Sequence, residues 1–123
     1  MPNNALSFAQ LHSINHLRAL RWHPRGLEEW NLAEWSNAMA GEAGEACNAT
    51  KKLRRLECGM QQAAGDTPAP RTIAEARERI AKEVGDTVIY ADLLARQAGF
   101  TLEECVRRAF NQVSEREGFP ERL

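Results

Sequence analysis

Twice in this 123-residue chain an apolar helical stripe runs straight through a pair of acids. In Gly41-Glu42-Ala43-Gly44-Glu45, and again in Glu83-Val84-Gly85-Asp86, two carboxylates are spaced i, i+3, which puts both on one helix face. At roughly 100° per residue, Trp35, Met39, Ala46, Ala49, Leu53 and Leu56 share the stripe of Glu42 and Glu45. Ala76, Ile80, Thr87, Tyr90 and Leu94 share that of Glu83 and Asp86. Both pairs are therefore expected to face inward, and a chain that buries four acids must fold so as to bring them a positive partner.

Ionised carboxylates facing a core must be hydrogen-bonded, protonated or paired, since each costs several kcal/mol to desolvate. Two unit charges ~6 Å apart repel by roughly 3 kcal/mol at an effective dielectric of about 20, and four acids make six such pairs. Proton sharing relieves one or two of them, whereas a divalent ion relieves all. An all-oxygen ligand set suits Mg²⁺, with Mn²⁺ as a substitute, better than Zn²⁺. Magnesium held by carboxylates keeps waters and recruits phosphate oxygens, so the pattern predicts a site for a Mg²⁺-bound phosphate ester.

Composition sets the remaining bounds. The chain is 43% hydrophobic and 27% charged with a formal net charge of -1, which fits one globular domain over 1–123 and argues against a dedicated binder of nucleic-acid polymer. Neither a membrane-length apolar run nor the pattern of a signal peptide is present, and the expected location is cytoplasmic. Cys47, Cys58 and Cys105 lack any CxxC and are expected to be reduced thiols that serve packing. His12 and His16 are spaced i, i+4, but no Cys or further His follows at ligand spacing, and a solvated helix face is the better reading.

Four helices and no strand are predicted. The first runs from about Leu6 to Trp22 and ends before His23-Pro24-Arg25-Gly26. A capping pair, Asn31 and Glu34, opens the second, which continues to about Cys58; Gly41 and Gly44 inside it suggest close approach by another backbone or a ligand. Residues 59–71, rich in Gly, Pro, Ala and Gln, form a flexible connection. Thr72 with Glu75 caps a third helix that reaches about Ala98 and stops at Gly99, and Thr101 with Glu104 caps a fourth that ends near Glu117. The fold class is all-α, with an up-and-down four-helix bundle as the simplest topology.

ExxE on one helix followed by ExxD on the next, in an all-α chain of this size, resembles the MazG-like nucleotide pyrophosphohydrolases of the all-α NTP pyrophosphatase superfamily. The matching text is Ala40 to Ala46, Lys82 to Tyr90 and Ala109 to Arg116, and the likeness spans roughly Trp30 to Arg116. The resemblance implies hydrolysis of a nucleoside triphosphate, (d)NTP, to monophosphate and pyrophosphate with Mg²⁺, serving to remove unwanted or surplus nucleotides. It also implies that Glu42, Glu45, Glu83 and Asp86 are the metal ligands and the catalytic carboxylates, and that the bundle assembles as a homodimer or a dimer of dimers. Some family members carry a further Glu immediately before the first motif acid; here that place is Gly41, and the choice of general base stays open.

Further candidates surround the acids. Lys52 lies on the flank of the first stripe within reach of a phosphate, and Tyr90 resembles a nucleotide-pocket tyrosine of dCTP-pyrophosphatase relatives. Asn111 and Arg116 resemble the polar C-terminal positions through which these enzymes touch phosphates or a neighbouring subunit, arginine being suited to bidentate contacts. Trp30 and His23 offer flat rings for a base. Two other classes compete. A di-iron carboxylate bundle wants Glu-x-x-His pairs, and here the third residue after each motif Glu is an acid. A non-catalytic helical dimer that binds nucleotide for regulation would use the same ligands.

Overall fold

Each helix-start signal closes on its own backbone in the computed structural model, which describes residues 4–65 and 68–123. Ser7 accepts from the Gln10 N–H and opens α1 (Phe8–Ala19). Asn31 and Glu34 bond reciprocally, at 2.8 and 2.9 Å, across the first turn of α2 (Leu32–Glu57). Thr72 accepts from the Glu75 N–H ahead of α3 (Ile73–Gln97), and Thr101 with Glu104 makes a complete capping box on α4 (Leu102–Glu117). Caps of this kind contribute about 1 kcal/mol each. At Thr72 the predicted box is only half made, because the Glu75 carboxylate accepts from the Arg71 N–H and from Arg79 instead.

The all-α expectation holds: four α-helices, one 3₁₀ turn at Leu27–Glu29 and no strand are present among the described residues. α3 and α4 stop at Gly99 and Gly118, whose φ of 88° and 73° is open to glycine at little cost. That turn lets the Phe100 N–H reach the Ala95 carbonyl and the Phe119 N–H reach that of Ser114. α1 is shorter than predicted, since Arg21 and Trp22 bond three residues back and leave the helix as turns.

The chain divides into two compact units, one holding residues up to Trp35 together with Ala91–Leu123, the other Ser36–Tyr90. In the first, Ala19, Leu27, Trp35, Leu93 and Ala95 are buried. Trp35, 1% exposed, donates its Nε1–H to the Leu27 carbonyl at 3.0 Å, so its polar atom is satisfied inside the core. The His23, Trp30 and Trp35 rings pack on one another with centroids 4.8 to 5.2 Å apart. Asn15 and Asp92 form a buried polar pair, and Arg96 donates to the His12 carbonyl. His12 and His16 correct the sequence reading: both are half-buried, and His12 Nδ1 faces Asp92 Oδ1 at 3.7 Å, so this strip of α1 is no solvated face.

In the second unit Ala49, Pro70 and Ala76 are buried. The described part of the 59–71 connection has no regular structure but is fastened at two points. Gln62 donates to the Lys52 carbonyl, and Arg79 to that of Pro68. Asp66 and Thr67 lie outside the described residues. At Gly41 and Gly44 the expected close approach of another backbone is absent within the chain, since a Cβ at either would meet nothing within 4 Å. The cysteines are free thiols as predicted, yet Cys47 and Cys58 are exposed and do not serve packing.

Candidate functional site

Three of the four motif acids converge within the second unit. Glu42 from α2 and Glu83 and Asp86 from α3 each offer a carboxylate oxygen, and these oxygens lie within 4.8 Å of one another. All three residues are half-buried. The helical stripes explain the convergence, because the apolar residues on either side of Glu42 and Glu83 turn those faces inward. Ala49 and Ala76 are buried, and Met39, Ala46, Leu53, Ile80, Thr87 and Leu94 half-buried.

Glu45 departs from the prediction that both pairs face inward. It is exposed and lies outside the set of three. At roughly 100° per residue it stands ~60° around the helix from Glu42, on the rim of the stripe, where its long side chain keeps its carboxylate in water. Its charge still acts on Glu42, more weakly than the charges of Asp86, Glu83 and Lys82 do.

Burial, followed by the like charges of Asp86 and Glu83, holds the Glu42 carboxyl above the usual carboxylate range. A positive group opposes them: Lys82 Nζ sits 2.6 Å from Asp86 Oδ2 and 3.7 Å from Glu83 Oε1. The hydrogen bond to Asp86, reinforced by the charges of Asp86 and Glu83, holds the Lys82 ammonium above its ordinary range. Sequence reasoning passed over Lys82 in favour of Lys52. The available signal was spacing, since Lys82 adjoins Glu83 and stands i, i+4 from Asp86.

The donor set is chemically suited to a small hard cation. Oxygens on opposite sides of Mg²⁺ stand about 4.2 Å apart, so a spread of 4.8 Å closes with side-chain adjustment of under about an ångström. Glu42, Glu83 and Asp86 are the residues that could hold such an ion, with Lys82 as the charge they balance against without one.

The remaining candidates divide between the two units. Lys52 is half-buried on α2, and the lysine whose charge acts on Glu42 is Lys82. Tyr90 is half-buried on α3 in the same unit as the acids. Asn111 and Arg116 belong to the other unit. Asn111 donates to the Leu123 carbonyl and accepts from its N–H, and exposed Arg116 pairs with Glu117, so both polar groups are engaged locally. His23 lies 3.4 Å from a Glu29 oxygen, and its ring and that of Trp30, both half-buried residues, pack against Trp35.

No family model matches the chain, and neither curated proteins nor solved structures give a match. No described helix is long and apolar enough to cross a membrane.

Proposed function

We propose that this chain is a Mg²⁺-dependent nucleoside triphosphate pyrophosphohydrolase of the MazG-like kind, converting (d)NTP and water to (d)NMP and pyrophosphate. The observation that carries the reading is the meeting of Glu42, Glu83 and Asp86 from two helices within 4.8 Å, at the positions where the paired acidic motifs place ligands. Mg²⁺ bound there would neutralise phosphate oxygens and lower the pKa of a water. The chain itself supplies hard oxygen donors on two rigid helices, a geometry that fixes where an anionic substrate can present its phosphates.

Self-association belongs to the same reading. Val106, Phe110 and Val113 recur at i, i+4, i+7 along α4 and remain 36 to 44% exposed, an apolar stripe that suits a second copy of the chain. Ile89 and Leu93 of α3 are half-buried and buried within the chain.

One observation favours a second reading, a helical module that binds nucleotide without turning it over: Lys82 already balances part of the acidic charge. A panel of (d)NTPs incubated with Mg²⁺, with pyrophosphate and monophosphate both quantified, separates the two. Stoichiometric release of both products, lost in Glu42→Gln and Asp86→Asn at unchanged helical circular dichroism, is the expected result. Nucleotide binding without either product would replace the enzyme with the binding module.

A further inference from the structure

Lys82 is placed to do more than offset charge. It is one turn before Asp86 on α3, and its ammonium makes a short charge-assisted bond to Asp86 Oδ2 while remaining within 4.0 Å of Glu83 Oε1. Its side chain is nevertheless 70% exposed, whereas those of Glu83 and Asp86 are 19% and 30% exposed. The acids are held by the helices and the lysine approaches them from water on a flexible stem. Such a group can leave at the cost of one partly solvated ion pair, with no core repacked.

We infer that Lys82 is a resident counter-cation, closing over Asp86 and Glu83 when no divalent ion is bound and leaving them when one binds, so that it sets how tightly the protein takes a divalent cation. This rests on the reading of the three acids as a metal site. An ammonium and a divalent ion repel at the separation that shared oxygens impose, and Asp86 Oδ2 cannot serve both at full strength. Without Lys82 the metal-free protein would hold three convergent carboxylates with less compensation. Lys82 thus trades metal affinity for stability of the metal-free state. An arginine in its place would keep the charge and add a second donor to the carboxylates.

The test uses the full chain and Mn²⁺ alone, with binding followed by the electron paramagnetic resonance signal of the free ion at low ionic strength. Lys82→Gln is expected to bind Mn²⁺ about 3- to 10-fold more tightly than the parent, the range one solvated ion pair commands. Its thermal midpoint in chelator should fall below the parent's, and the gap should close at saturating Mn²⁺. Lys82→Arg should restore the chelator midpoint and bind Mn²⁺ no more tightly than the parent, and Glu42→Gln should lose the binding. If the parent binds Mn²⁺ and Lys82→Gln binds it equally or more weakly, the counter-cation role is overturned while the metal site stands. If neither protein binds Mn²⁺, the metal reading falls and takes this inference with it.

Discussion

Asn15 Nδ2 donates to Asp92 Oδ2 at 2.9 Å inside the first unit, joining α1 to α3 through two side chains that are 5% and 0% exposed as residues. The two positions are 77 residues apart in sequence. A polar pair this deep fixes which faces of the two helices meet, because any other alignment leaves a carboxyl group buried without its donor.

Truncating Asn15 tests that dependence. Asn15→Ala is expected to destabilise the fold by about 1 to 3 kcal/mol, the cost of leaving a buried carboxyl group without its hydrogen bond. The measurement is urea unfolding, with the midpoint lowered and the slope unchanged. A loss below about 0.5 kcal/mol would mean that the pair is dispensable to packing.

Glu42 makes the metal-free protein sensitive to pH in a direction opposite to most carboxylates. Its folded-state value is raised above the ordinary 4.5, so the folded protein holds a proton there at a pH where the unfolded chain has lost it. Charge on Glu42 therefore costs stability above the raised value, and the cost disappears as the pH falls to 4.5 and below. In chelator, Glu42→Gln should be more stable than the parent at neutral pH, with the margin shrinking on acidification and gone below 4.5. Three other acids run the other way. Glu29, bonded first by the Arg25 side chain, Glu75 by the Arg71 N–H and Glu104 by the Thr101 N–H, all sit below their ordinary range. Their stabilisation is present above 4.5 and lost as the pH drops through their lowered values, equally in both proteins, so it cancels in the comparison. Thermal melts at matched ionic strength across pH 3 to 8 would measure the margin.

Local chemistry made most of the fold legible. Asn31 with Glu34, and Thr101 with Glu104, announce helix starts that the backbone then makes, because a cap depends on residues within one turn. Stripe phase gave Glu42, Glu83 and Asp86 for the same reason. Three things escaped it. Glu45 lies on a stripe's rim, where phase alone does not decide between core and water. Asn111 is engaged by Leu123, a pairing that depends on where the chain turns after Gly118. His12 is half-buried beside Asp92, a neighbour far away in sequence that no periodicity of α1 reveals.

The proposed self-association through the exposed stripe on α4 is open to a direct test. Phe110, 42% exposed between Val106 and Val113, is the stripe's largest side chain. Phe110→Glu should shift the protein from an associated state to monomer in light scattering, because burying a charge against an apolar face costs several kcal/mol. Helical circular dichroism should stay unchanged, since the residue is not part of either unit's buried core. A parent protein that is monomeric at every accessible concentration would contradict the association outright.

The spread of the acids predicts unequal mutational costs within the motif. Glu42, Glu83 and Asp86 converge, whereas Glu45 remains in solvent and acts on Glu42 only through its charge. If the three convergent oxygens bind the ion, replacing any of them by its amide removes a direct ligand, and pyrophosphate release should fall by more than about 100-fold. Glu45→Gln removes only an outer charge, for which a loss of about 10-fold or less is expected. Pyrophosphate release at saturating Mg²⁺, with Mn²⁺ affinity measured on each variant, would rank them. Equal, severe loss in Glu45→Gln would mean that this side chain swings from the rim into the cluster when an ion binds, and that all four acids grip it.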